Sequence, residues 1–172
     1  FVAPGRRADT ENIVILRKPS ITLDISLHAP PYRLWPYEDV LRKREIQKTF
    51  GVKGIKQKGS SFLVTSDSYT ITNARKFVFT HSIEQPNNTS ESTWQAIIEN
   101  GFVNQPGARK DPKYVTHGLH VYKGKFYPQL AKGLLNICGC ETGTAILDPF
   151  CGSGTTLLES YLNGYKSFGC DM

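Results

Sequence analysis

The stretch that decides the fold runs from Ile146 to Thr156, ILDPFCGSGTT. Ile146 and Leu147 belong to an apolar run, TAILDPF, that reads as a continuous buried strand. Gly152 and Gly154 remove side chains where the backbone must turn sharply and come close to a ligand. TTLLESYLNG then reads as a helix closed by Gly164, and KSFGCDM, residues 166–172, as a second strand. Strand, glycine turn, helix and strand form the first βαβ unit of a doubly wound sheet. Ligands of such sheets bind outside the carboxyl ends of the strands, where Asp148 emerges. The helix that begins near Thr155 directs its unsatisfied N–H groups into the same crevice. Asp171 lies 23 residues beyond Asp148, at the tip of the second strand. A carboxylate there can accept hydrogen bonds from both hydroxyls of a ribose.

The turn itself narrows the ligand. A dinucleotide-binding turn reads G-x-G-x-x-G, and here Leu157 stands at the third glycine position. A triphosphate-binding loop, G-x-x-x-x-G-K-[ST], is excluded in the same way. An acid beside the bend opposes a pyrophosphate but suits an ammonium group. A sulfonium nucleoside with an amino-acid tail fits both carboxylates and the lack of a phosphate clamp. The bland alternative is a plain strand-to-helix turn. Isolated glycine turns arise often by chance; the nine residues DPFCGSGTT between a strand and a helix do not.

DPFCGSGTT resembles motif I of the amino-methyltransferases that act on exocyclic nitrogens of DNA bases, adenine N6 or cytosine N4. HGLHVYKGKFYPQLAKGLL, His117 to Leu135, is similar to the segment before that motif in one branch of these DNA methylases. There a Lys-Phe-x-Pro-Gln run leads into a helix beside the cofactor. The resemblance covers about the last 56 residues; Tyr37 to Gly51 resembles an upstream segment more faintly. It implies an α/β fold: the first βαβ unit of a Rossmann-like S-adenosylmethionine methyltransferase core in residues 117–172. A small α+β region, residues 1–116, precedes it with no assigned role. It implies that Lys125, Phe126, Pro128 and Gln129 flank the methionyl end of S-adenosylmethionine. Asp148, Pro149, Phe150, Cys151, Gly152, Ser153, Gly154, Thr155 and Thr156 would form the cofactor loop, and Asp171 would hold the ribose.

The activity so implied is site-specific methyl transfer to a DNA base, of the restriction-modification kind. Two alternatives stay open. One is a tRNA guanine-N2 methyltransferase, whose family shares a similar lead-in to a D-P-F-C-G loop. The other is a non-catalytic, cofactor-binding subunit that works with a partner chain. Transfer to an exocyclic amine needs the family's [DNS]-P-P-[YFW] loop. Here the only P-P-Y is Pro30-Pro31-Tyr32, preceded by Ala29, which has no side-chain acceptor. It reads as a Pro-rich turn that anchors aromatic residues. In the branch resembled, the catalytic loop follows motif I, beyond Met172, so no catalytic residue is assigned. The chain starts at Phe1 without an initiator Met and stops just after a strand. A missing C-terminal portion or a second polypeptide is therefore expected to complete the sheet.

Composition agrees with a polyanionic partner such as DNA: 21 Lys and Arg against 15 Asp and Glu, net +6. No apolar run approaches the roughly 18 residues of a membrane span, and no signal peptide opens the chain. No membrane partner and a cytoplasmic location are expected. Cys138, Cys140, Cys151 and Cys170 read as reduced thiols in a packed α/β core, a zinc site at the C-x-C being the alternative, and no metal ligand is assigned.

Upstream, SITLDISL (20–27) alternates as a half-buried strand, and the prolines of HAPPYRLWP interrupt it. YEDVLRKREIQKTF (37–50) reads as a helix stopped by Gly51, and Gly51 to Gly59 as a loop. SFLVT, SYTIT and KFVFTHSI read as short strands, the first two joined at a Ser-Asp turn as a meander. A helix is predicted over 92–100, opened by Ser92, and an exposed loop over 102–120. PQLAKGLLNICG predicts an amphipathic helix with Leu130, Leu134, Leu135 and Ile137 on one face. Trp35 and Trp94 are read as core anchors and His117 and His120 as structural loop residues. LRKRE and KGIKQKG are either solvated faces or contacts to phosphate.

Overall fold

The computed structural model describes residues 23–51, 55–66, 72–99 and 112–171. It is a mixed α/β structure in which two sheets flank a set of helices. Strand β1 (Leu23–His28) is followed by helix α1 (Pro36–Phe50), then by β2 (Lys56–Lys58), β3 (Ser61–Ser66), β4 (Ser82–Glu84) and β5 (Ser90–Ser92). These strands form one antiparallel sheet in the order β2-β3-β1-β4-β5. A short helix α2 (Trp94–Ile98), helix α3 (Pro128–Cys138), strand β6 (Ala145–Asp148), helix α4 (Thr155–Leu162) and strand β7 (Lys166–Gly169) complete it. β6 and β7 pair in parallel across α4, which is the βαβ unit expected from the glycine bend.

Register in the antiparallel sheet follows the period-two pattern. Ile25 pairs with Val64, and Leu27 with Phe62 on one side and Ile83 on the other. All five side chains are buried on one face with Ile46 of α1, and a one-residue slip would turn each of them outward. α1 starts at Pro36, which has no N–H to leave unpaired, while the Glu38 carboxylate accepts the Trp35 N–H at 2.9 Å. It ends at Gly51, whose φ of 81° only glycine adopts without strain. Buried Arg42 donates to the carbonyls of Ser60 at 2.7 Å and Leu27 at 2.9 Å, with its guanidinium over the Phe62 ring.

Several expectations change. Residues 56–58 form an edge strand rather than loop, because β3 offers them an unpaired edge. KFVFTHSI is extended only from Ser82, where β1 becomes available as a partner; Phe77, Val78 and Phe79 are buried in irregular backbone instead. SYTIT lies outside the described residues but for Thr72, as do residues 20–22 of the first strand run and 102–111 of the long loop. α2 opens at Thr93, not Ser92: the Thr93 hydroxyl accepts the Ala96 N–H and donates to the Thr80 carbonyl, while Ser92 is held in β5. Trp35 and Trp94 are nearly half exposed; each sits at the first turn of a helix, and Trp94 lies beneath Arg75. Leu134 is exposed because α3 packs between α1 and α4 and its buried face centres on Ala131 and Leu135. Leu147 is not buried: it pairs with Phe168 on the sheet face away from α4, and both are exposed. The thiols are free and peripheral, Cys138 and Cys170 exposed and the other two half-buried.

α3 is joined to its surroundings by polar groups more than by oil. Asn136 donates to Glu45 at 2.8 Å and to the Lys76 carbonyl at 3.0 Å. Gln129 donates to Glu99 at 3.0 Å, and Lys132 to Gln95 at 2.8 Å, which in turn donates to Glu99 at 2.6 Å. Burial raises the Glu99 carboxyl and lowers the Lys132 ammonium from their ordinary values. Burial also pushes the Glu45 carboxyl up to about 7 from 4.5, against the opposing bonds from Asn136 and Val78. As pH rises, the unfolded chain gives up this proton first, so stability falls from about pH 4.5 to about pH 7 and stays reduced above it. Glu45→Gln is expected to flatten that slope. It should gain on the order of 2–3 kcal/mol relative to the parent at pH 8 over pH 4, read by urea denaturation at both pH values.

Candidate functional site

The carboxyl edge of the β6–β7 pair is where the site forms. Past the last rung, Cys170 donates its N–H to the Asp148 carbonyl at 3.2 Å and accepts the Cys151 N–H at 3.0 Å. The bend after β6 is thereby held beside the end of β7. Gly152 (φ 49°) and Gly154 (φ 76°) take left-handed backbone, Gly154 donates to the Cys151 carbonyl at 2.7 Å, and α4 starts at Thr155. Asp148 folds back so that its Oδ1 accepts the Phe150 N–H at 3.1 Å.

A hollow of about 350 Å³ opens over this bend. One wall is the bend: Asp148, Phe150, Cys151, Gly152, Ser153, Thr155 and Thr156. The other is the segment before α3, with Tyr122, Gly124, Lys125 and Phe126. Asp148 is the one acid and Lys125 the one base among these lining residues. The Lys125 ammonium donates to the His117 carbonyl. The Thr155 hydroxyl is buried with no hydrogen-bond partner among the described residues.

The residues singled out from the sequence are thus only partly gathered. Lys125 and Phe126 line the hollow across from the bend. Pro128 instead lines a second, adjoining hollow of about 220 Å³, which shares Tyr122, Lys125 and Phe126 with the first. Gln129 is fully buried and spends its amide on Glu99. Pro149 and Gly154 shape the bend without lining the hollow, and Asp171 sits exposed just beyond β7, two residues past the partner of Asp148. Pro30-Pro31-Tyr32 lies elsewhere, with the Tyr32 ring buried and its hydroxyl raised well above the ordinary range by that burial. Among the described residues no group of three or more His, Cys, Asp or Glu is placed to hold a metal ion. No described helix is long and apolar enough to cross a membrane.

Sequence reasoning passed over Tyr122, Gly169, Tyr114 and Glu159. Tyr122 closes over Gly152, where an added Cβ would come within 3.3 Å of its ring. A Cβ at Gly169 would meet Leu157 at 2.8 Å and Cys151 at 2.9 Å, so the bend and α4 rest directly on β7. The second glycine of a strand–bend–helix–strand unit was the available signal. Tyr114 and His117 fall in the stretch whose sequence predicts an exposed loop, but both are buried: Tyr114 donates to Glu159 at 2.6 Å and His117 Nε2 lies 2.8 Å from the same oxygen. His120 stays exposed, stacked on Tyr122.

Residues 119–169 match the model of the RMKL-like methyltransferase domain. A tRNA (guanine(10)-N2)-dimethyltransferase of Methanothermobacter thermautotrophicus is 36% identical over 77 residues, 45% of this chain and 21% of that one. The type II methyltransferase M.MjaII of Methanocaldococcus jannaschii is 48% identical over 56 residues, 33% of this chain and 10% of its own length. The type II methyltransferase M.BsoBI of Geobacillus stearothermophilus is 43% identical over 56 residues, 33% of this chain and 11% of its own. The chain thus spans between a tenth and about a fifth of the length of these relatives. The stretch that builds the hollow is similar to methyltransferase sequence, including enzymes named for DNA and for tRNA.

Gly169→Ala is expected to force the bend off β7. A loss of about 1–3 kcal/mol in urea denaturation is the anticipated size of such overpacking, and Gly152→Ala should lose about 1–2 kcal/mol through its left-handed backbone.

Proposed function

We propose that this protein transfers a methyl group from S-adenosylmethionine to the exocyclic amino group of a DNA base, cytosine N4 or adenine N6, at specific sites. The observation that carries this is the pairing of one acid and one base across a hollow at a strand-to-helix bend. An α-amino-acid tail is a zwitterion: its ammonium suits Asp148 and its carboxylate suits Lys125. S-adenosylmethionine supplies an activated methyl on a sulfonium when bound. The residues fit it, since Asp148 and Lys125 stand on opposite walls and, among the described residues, the Thr155 hydroxyl has no hydrogen-bond partner. In this reading Phe126, Phe150, Cys151, Ser153 and Thr156 complete the donor site, Pro149 and Gly154 hold its bend, and Pro128 and Gln129 seat the helix that carries its second wall. Asp171, exposed two residues past the end of β7, takes the ribose hydroxyls in the Rossmann-like manner.

Acceptor chemistry needs a polar group on the amine and an aromatic face on the base. Buried Tyr32 behind Ala29 offers neither, so that loop belongs to residues other than these. Residues 117–172 are then the donor-binding start of the catalytic domain, and the described residues before them form a region that packs on it through α1 and α3. A tRNA guanine-N2 acceptor is the second reading, favoured by the likeness to the archaeal tRNA enzyme over 77 residues.

The full-length protein, purified and given tritium-labelled methyl donor, is expected to label unmodified DNA and to leave tRNA unlabelled. Label in tRNA alone would replace the DNA reading with the second one, and cofactor binding without label in either would leave a non-catalytic subunit. Asp148→Ala should weaken donor binding about tenfold or more, as loss of a charge-assisted contact does.

A further inference from the structure

The lysine of the hollow is connected through two contacts to a carboxylate that does not line the hollow. Lys125 donates to the backbone carbonyl of His117. The ring of His117, almost wholly buried, reaches Glu159 Oε1 at 2.8 Å through Nε2. The Tyr114 hydroxyl donates to that same oxygen at 2.6 Å, and the two rings meet edge to face with centroids 5.1 Å apart. Between these two anchors Val115 holds a φ of 51°, a left-handed conformation that a β-branched residue adopts only when its surroundings impose it. The turn is held at both ends by one oxygen, and the backbone between them bends to suit.

Glu159 also lies one helical turn beyond Thr155 and Thr156, which line the hollow. α4 therefore supplies one wall with its first turn and anchors the support of the opposite wall with its second. We infer that Glu159 is a positioning residue for the donor site: through Tyr114 and His117 it places the carbonyl that holds the Lys125 ammonium toward a carboxylate ligand. This rests on the donor site proposed above and adds to it a residue that touches neither substrate nor cofactor.

A double-mutant cycle tests it, with S-adenosylhomocysteine binding to the full-length protein measured by calorimetry. Glu159→Leu removes the acceptor for both donors and is expected to weaken binding about tenfold, whereas Glu159→Gln keeps an oxygen there and should stay within about threefold of the parent. In a Lys125→Met background, itself about tenfold weaker, Glu159→Leu should add less than about twofold. Equal losses in both backgrounds would make Glu159 a general prop of the fold and overturn the inference, while leaving the donor site standing. Should Glu159→Leu lose its helical circular dichroism, Tyr114→Phe takes its place: about threefold weaker binding with Lys125 present and none of that loss with Met there. An unchanged affinity in Tyr114→Phe with Lys125 present would equally overturn it. A parent protein that binds no S-adenosylhomocysteine removes the donor site and this inference together.

Discussion

Cys170 makes two backbone hydrogen bonds, to the Asp148 carbonyl and from the Cys151 N–H, and the geometry of the site depends on them. They carry the pairing of β6 and β7 past its last rung, so that the glycine bend is clasped between strand ends instead of leaving the sheet freely. Once the bend is fixed, the start of α4 is fixed, and with it Thr155, Thr156 and the wall they form. The pair needs such help. It has four residues in each strand, and one of its faces carries exposed Leu147 and Phe168, so the ladder alone would be marginal. Gly169 serves the same end by letting Cys151 and Leu157 lie against the strand backbone.

α3 transmits this arrangement to the antiparallel sheet. Apolar contact with α1 would tolerate several rotations of α3, because methyl groups have little directional preference. Hydrogen bonds do not tolerate them: Asn136 must meet Glu45 and the Lys76 carbonyl, while Gln129 and Lys132 must meet Glu99 and Gln95 on the other side. Burying these charges costs free energy that a hydrocarbon joint would not, which is what the displaced ionisation of Glu45, Glu99 and Lys132 records. What the joint gains is a single orientation. The Lys-Phe-x-Pro-Gln run enters α3 at that orientation, so Lys125 and Phe126 arrive opposite the bend.

The bend, the helix after it and the parallel pair were legible because each rests on local rules: glycine for left-handed backbone, apolar runs for strands, short connections for crossovers. α1 was legible for the same reason as a helix over 37–50 stopped by Gly51, one residue short of its start at Pro36. What stayed hidden depends on partners distant in sequence. Lys56–Lys58 is a strand only because β3 has a free edge, and Phe77 to Phe79 are core without being strand, the Val78 N–H going to the Glu45 carboxylate instead of a ladder. Tyr114 and His117 look like loop residues until Glu159, more than forty positions on, supplies the buried acceptor that draws them in. Leu147 misled in the other direction, since its apolar character predicts burial and the described residues cover only one face of the pair.

Charge sorts the surfaces by task. The whole chain carries a net charge of +6, yet the residues that line the hollow include one acid and one base and so sum to zero. A pocket for a polyanion would concentrate the excess of lysine and arginine; this one does not. Its balance is that of a zwitterion, and an acid beside the bend would repel a phosphate brought to the same place. The excess positive charge therefore lies outside the hollow, on residues such as exposed Lys43, Arg44, Lys56 and Lys58 of α1 and β2. A small zwitterionic ligand and a long polyanion would make opposite electrostatic demands, and the structure keeps the balanced charge of the hollow apart from the basic surfaces of α1 and β2.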